Sequence, residues 1–285
     1  YPVWMTRLAA ILPLLAAIRG QDVRVAPTVV PQGGVMRIEG KAASARMDGR
    51  SIRIFPQAAG EPLGLMPVGA IANPGPYQLE VLDNAGKTLR TIPITVRDAR
   101  FPKQNIALSP QIEQLRPAPG DDEAAAAFRR IVTDPRHWQE PFERPVPGCM
   151  SSPYGVARLH NGKLTGAYHG GLDQHAPAGQ PIRAIAAGTV RLVRPFQLMG
   201  NTVGVDHGQG VESMYLHLSK FAVADGASVN KGDVVGYVGA TGRATGPHLH
   251  WSIYVNGIAV NPSGWVTVKP CAAAPPRAKK RSTKK

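Results

Sequence analysis

The sequence predicts a mostly β protein with two β domains in series. The first is an immunoglobulin-like β-sandwich and the second a mostly antiparallel β domain. Three observations carry this. Short runs rich in Val, Ile, Thr and Tyr recur along the chain, glycine- and asparagine-bearing turns separate them, and the 285 residues suffice for two buried cores. The C-terminal rhythm by itself suits any β-sandwich or barrel.

Residues 1–20 read as a signal peptide or an N-terminal anchor. Met5-Thr-Arg7 is a short basic start, and Leu8 to Ile18 is an apolar run of eleven residues interrupted by Pro13. That is too short for a bilayer core of about 30 Å, which takes roughly 20 residues, and it has the length of a signal-peptide core. Gly20 or Ala17 are the candidate cleavage points, and Tyr1 to Trp4 resembles an extension upstream of the true start. Export to the periplasm or cell envelope is the expected localisation.

Residues 21–98 are expected to form the sandwich. Val35–Ile38, Ser51–Phe55, Tyr77–Val81 and Ile92–Val96 are strand-like, and Asp83-Asn-Ala-Gly86 is a hairpin turn. No catalytic chemistry is visible there, so the domain reads as a substrate-positioning or regulatory unit, or as a spacer. Residues 99–148 read as a connector. Pro117, Pro119 and Gly120 mark a loop, and Asp121-Asp-Glu opens an Ala-rich helix to about Val132, with acidic residues favourably placed against the helix dipole. The connector is also a candidate for an inhibitory segment draped over the active groove.

Residues 149–268 carry the chemistry. Glycine-rich turns at Gly188, Gly200, Gly226 to Gly242 and Gly246 punctuate strand-like runs such as Gly188–Val193, Asn201–Val205 and Asp233–Val238. Three fragments stand out: His169-Gly-Gly-Leu-Asp173, Leu216-His217-Leu218 and Gly246-Pro-His248-Leu-His250. On a strand, His248 and His250 share a face while Leu249 points away. Paired glycines at Gly170 and Gly171 disfavour a helix between His169 and Asp173, because each costs about 1 kcal/mol relative to Ala; a strand-turn segment is expected instead. Four histidines and an aspartate suit one hydrolytic Zn²⁺. Such a zinc keeps three protein ligands and a water whose pKa it lowers from about 15.7 towards about 7. Two histidines then remain for proton transfer. His137, His160, His175 and His207 read as surface or satisfied core residues.

The ordered set of segments in this region resembles the M23 metallopeptidases, the LytM/lysostaphin-like peptidoglycan endopeptidases. It comprises Ser151–Gly155, Tyr168–Asp173, Ala176–Gly179, Gly200–Val203, Asp206–Gly208, Tyr215–Ser219, Gly239–Gly242, Thr245–His250, Asn256-Gly257 and Val260–Pro262. The resemblance implies a twisted sheet with the metal in a long groove. It implies His169, Asp173 and His250 as ligands of one Zn²⁺, and His217 and His248 as the unligated pair. One of these two would act as general base; the other would stabilise or protonate the tetrahedral intermediate. The implied partner is a peptidoglycan peptide, and family analogy leans towards direct cross-links over glycine bridges.

Cys149 and Cys271 bracket this region. Their even number and the export signal favour a disulfide. The net charge of +14 comes partly from residues 269–285, where Arg277, Lys279, Lys280, Arg281, Lys284 and Lys285 follow Pro275-Pro276. A disordered tail of this kind suits an anionic envelope polymer or serves solubility. With no nucleic-acid-binding motif and an export signal, nucleic acid is not the partner this charge indicates. The expected function is that of an exported zinc endopeptidase of peptidoglycan peptides. The alternative is a non-hydrolytic wall-binding protein that activates another hydrolase.

Overall fold

In the computed structural model, residues 23–272 are described. The leader or anchor expected over residues 1–20 and the basic cluster beyond Pro276 lie outside them. No helix among the described residues is long and apolar enough to cross a membrane.

The N-terminal part is a two-layer sandwich. One sheet holds Arg24–Ala26, Val35–Glu39 and Leu63–Pro67; the other runs in the order Val29–Pro31, Thr88–Arg97, Gly75–Leu82, Ser44–Met47, Arg50–Arg53. Alternation explains the pairing of layers. Along Thr88–Arg97, Ile92, Ile94 and Val96 are buried and the residues between them exposed, and they join Met36, Ile38, Leu79 and Val81 in one core. The predicted hairpin turn is present. The Asp83 carboxylate accepts from the amides of Ala85 and Lys87, each at 2.9 Å, and Gly86 takes a φ of 78°.

Leu63–Pro67 was not anticipated as a strand. All five residues are buried, because the strand lies between two cores. Met66 packs into the sandwich, while Leu63 and Leu65 pack with Trp138, Tyr215 and Trp251 of the second domain. A strand buried on both faces loses the alternation that would reveal it. The sandwich is thereby fixed to the second domain. Asn256 Nδ2 donates to the Leu65 carbonyl at 2.8 Å, and the Asn261 amide donates to the Gly33 carbonyl at 2.8 Å.

The second domain is built on a ten-stranded sheet. Its main path is Met150–Ser152, Leu172–Gln174, Leu249–Val255, Val211–Phe221, Gly200–Gly208, Gly188–Phe196, Ser228–Val229, with antiparallel neighbours throughout. A smaller sheet joins Lys103–Ile106, Ala157–His160 and Lys163–Tyr168. Residues 99–148 thus supply one of its strands, and Trp138, Phe142 and Val146 from the same stretch sit in the main core. The predicted helix spans Asp121–Arg129. Its Asp121 carboxylate accepts from the Gln197 amide at 2.8 Å and from Arg194 at 3.2 Å, tying the helix to Gly188–Phe196. Cys149 and Cys271 form a disulfide, 122 residues apart in sequence.

Candidate metal centre

The central strand Leu249–Val255 positions the site. Leu249 is fully buried in the core, so His250 projects from the opposite face, as strand geometry dictates. Leu172–Gln174 pairs beside it with Asp173 directly across from His250. Lys163–Tyr168 ends one residue before His169, and the chain crosses to the next strand through Gly170 and Gly171. The expected strand-turn segment is what forms. Gly171 is required by close approach, because a Cβ there would lie 2.3 Å from the Trp251 carbonyl and 2.7 Å from His250 Nε2.

Three ligand atoms converge. His169 Nε2 lies 3.0 Å from Asp173 Oδ1 and 2.9 Å from His250 Nδ1, and the third side of the triangle is 2.8 Å. Hydrogen bonds on the far sides of the rings set the tautomers. His169 Nδ1 faces the Pro153 carbonyl at 2.8 Å and therefore carries the proton, leaving Nε2 bare. His250 Nε2 contacts Ser252 Oγ at 3.1 Å; with this hydroxyl accepting the Nε2 proton, Nδ1 is bare and free to ligate. Two bare nitrogens and a carboxylate oxygen thus point at one another. A single metal cation satisfies all three lone pairs at once, whereas one shared proton satisfies two. The donor set fits a metal ion.

Electrostatics agree. Burial opposes ionisation of Asp173, but the two imidazoles packed against it, those of His169 and His250, outweigh burial and hold the carboxyl well below its ordinary range. Burial, partly offset by Asp173, pushes His250 down to about 4, so its imidazole is neutral and able to ligate near pH 7. Arg158 Nη2 donates to the outer oxygen of Asp173, Oδ2, at 2.8 Å.

The other two predicted histidines stand beside the triangle. His217 Nδ1 lies 2.8 Å from the Thr241 carbonyl and His248 Nδ1 2.9 Å from the Gly246 carbonyl. Both therefore carry the proton on Nδ1 and leave Nε2 bare. The two rings are 5.0 Å apart, and His248 Nε2 is 3.9 Å from Asp173 Oδ1. His217 has a φ of 62°, rare for a residue with a side chain. It sits at a register shift in the pairing of Val211–Phe221 with Gly200–Gly208, where a bulge re-aims the side chain. Burial, then the neighbouring histidines, push its pKa down to about 3.

His169, His217 and His250 open onto a cavity of about 370 Å³ whose lining also includes Tyr168, Arg158 and Arg243. His160 lines it too, half-buried at the surface. No residue of 99–148 does. His175 is exposed. His207 is fully buried with both ring nitrogens satisfied, by the Ala187 carbonyl and Ser213 Oγ, each at 2.8 Å. Arg158 and Arg243 escaped the sequence reading. Arg158 meets a carboxylate fifteen positions away, and Arg243 falls between two recognised segments with no spacing signal of its own.

Residues 167–262 match the model of peptidase family M23. The chain is 46% identical over 113 residues to the DD-carboxypeptidase/endopeptidase Mpg of Neisseria meningitidis serogroup B, a match covering 40% of this chain and 26% of that protein. It is 36% identical over 140 residues to the peptidoglycan DD-endopeptidase ShyA of Vibrio cholerae, covering 49% and 30% respectively. The chain therefore spans less than a third of the length of these curated relatives. A crystal structure of a Pseudomonas aeruginosa protein assigned to peptidase M23 matches at 32% identity with a TM-score of 0.64, covering 81% of this chain and 92% of that one. With that coverage, and with the metal triangle and its flanking histidines in place, the chain belongs to peptidase family M23.

Proposed function

We propose that this protein is an exported zinc metalloendopeptidase that hydrolyses peptide bonds in peptidoglycan stem peptides or cross-links. The observation that carries the reading is the triangle of His169 Nε2, Asp173 Oδ1 and His250 Nδ1, with sides of 2.8–3.0 Å, beside two further histidines. His169, Asp173 and His250 would hold one Zn²⁺, a mixture of two imidazoles and a carboxylate that suits this ion. When bound, Zn²⁺ polarises the scissile carbonyl and makes water acidic enough to attack near neutral pH.

The chain's own residues would do the rest. His217 and His248, each fixed by a backbone carbonyl through Nδ1, present bare Nε2 atoms to the reacting groups. They divide the taking of a proton from the attacking water and its delivery to the leaving amine. Ser252 and Pro153 hold the ligand rings in their ligating tautomers. The cavity's open face admits an extended peptide, and the names of the relatives from Neisseria and Vibrio favour a DD bond. The Cys149–Cys271 disulfide supports an oxidising compartment such as the periplasm.

The test is muropeptide release from purified peptidoglycan, comparing wild type, His250→Ala and a chelated sample, with bound metal measured by elemental analysis. New peptide-cleaved products are expected from wild type. They should vanish in both controls and return with Zn²⁺ in the chelated one. No products from a folded, zinc-loaded wild type would replace this reading with that of a non-hydrolytic activator.

A further inference from the structure

The cavity at the metal triangle carries more positive charge than metal binding needs. Arg158 is committed through Nη2 to Asp173, but its Nε is buried with no hydrogen-bond partner among the described residues. Arg243 is half-buried on the same cavity wall. Its side chain forms no ion pair among the described residues, and the charges acting on it, those of Arg158 and Arg116, are both positive and lower its pKa after burial itself. Holding a half-buried guanidinium near a second one with no carboxylate of its own is costly, and a ligand anion offsets that cost.

Arg243 is also held in place. Its amide donates to the Leu198 carbonyl at 2.8 Å. Two residues before it, the Thr241 carbonyl faces His217 Nδ1 and Thr241 Oγ1 donates to the Leu218 carbonyl at 2.9 Å. The same loop packs so tightly on Gly200 that a Cβ at Gly242 would lie 2.4 Å from the Gly200 amide nitrogen. The loop that orients His217 therefore also fixes the backbone from which the Arg243 side chain reaches the cavity.

We infer that Arg243, assisted by Arg158, is a carboxylate-binding subsite that selects peptides whose leaving amine sits on a carbon bearing a free carboxylate. This deepens the peptidase reading and rests on it for the identity of the scissile bond. In such a substrate the carboxylate carbon is two bonds from the scissile nitrogen, so the scissile carbonyl and the carboxylate share the single cavity lined by His169, His250 and Arg243. A planar guanidinium with paired donors matches a carboxylate. A D-alanyl-D-alanine terminus and a D-alanyl–diaminopimelate cross-link both present this arrangement; the internal bonds of a polyglycine bridge do not. Arg243 thus separates the first two substrate classes from the third.

The experiment is calorimetric binding of four probes to zinc-loaded full-length protein, with product formation recorded separately. Two are a stem pentapeptide ending in D-alanyl-D-alanine and its C-terminal amide. The others are a directly cross-linked muropeptide dimer and the same dimer amidated on the diaminopimelate carboxyl beside the cross-link. At least one acid should bind about 10- to 100-fold more tightly than its amide, and which pair does so identifies the carboxylate's source. That preference should collapse in Arg243→Gln and partly persist in Arg243→Lys, with metal content and melting temperature unchanged. Equal affinity for acid and amide in both pairs, no binding of any probe, or a preference that survives Arg243→Gln would overturn the inference. Acid-selective binding without hydrolysis would sustain the subsite and overturn the peptidase reading.

Discussion

Glu212 is the residue whose environment departs furthest from its ordinary chemistry outside the metal site. It is fully buried on Val211–Phe221, neither carboxyl oxygen has a hydrogen-bond partner among the described residues, and Asp206 lies opposite on the neighbouring strand. Burial, with help from Asp206, pushes its pKa up to about 9. The sign of the linkage follows. Between about 4.5 and 9 the folded protein retains a proton that the unfolded chain releases, so stability is full at low pH and falls as pH rises through that window. At pH 7 the loss is about 3 kcal/mol. Glu212→Gln removes the titration without changing shape. Denaturant unfolding should find the variant more stable than wild type at pH 8 and indistinguishable at pH 5. Equal pH slopes for the two proteins would refute this.

At the scale of elements, the Asp121–Arg129 helix closes one end of the metal-bearing face. Phe128 packs with Leu192, Phe196, Met214 and Leu216, and Gly204 makes room for its ring, since a Cβ there would lie 2.7 Å away. Leu216 lies directly across from His250, so the helix supports the strand pair that carries His250 and His217. Phe128→Ala should cost about 3–5 kcal/mol by cavity formation. It should also weaken Zn²⁺ retention in a chelator competition, because the supporting face is loosened. Unchanged metal affinity would confine the helix to a purely stabilising part.

For the whole molecule, the sandwich and the second domain are joined at the far end of the strand that bears the site. Asn256 meets Leu65 and Arg50, six residues and about 20 Å along an extended chain from His250. The sandwich thus braces the catalytic sheet without covering its groove. The disulfide fastens the two ends of the second domain across 122 residues. In the chain-entropy model a loop of that length contributes about 4–5 kcal/mol, less any strain. Replacing Cys149 and Cys271 together by Ser should lower the denaturation midpoint accordingly while the folded variant still binds Zn²⁺. An unchanged midpoint would show that the core alone holds these ends.

Much of the site was legible in the sequence because its chemistry is written in short fragments. Two-residue periodicity put His248 and His250 on one side of a strand, and paired glycines disfavoured a helix between His169 and Asp173. The sandwich's alternating strands and its Asp83–Gly86 turn were readable for the same local reasons. The rest depends on contacts between distant residues. Leu63–Pro67 is invisible to periodicity because two domains bury its two faces. The strand at Lys103–Ile106 exists through pairing with Ala157–His160. His217 reaches the site through a bulge, and Arg158 and Arg243 acquire their meaning from a shared cavity. By itself the sequence carried the family resemblance, the five candidate site residues and the β character, since these reside in local spacing and residue type. Tertiary structure decided which charges surround the candidate metal triangle, what braces the sheet and which arginines share its cavity, because burial and long-range proximity arise only when the chain closes on itself.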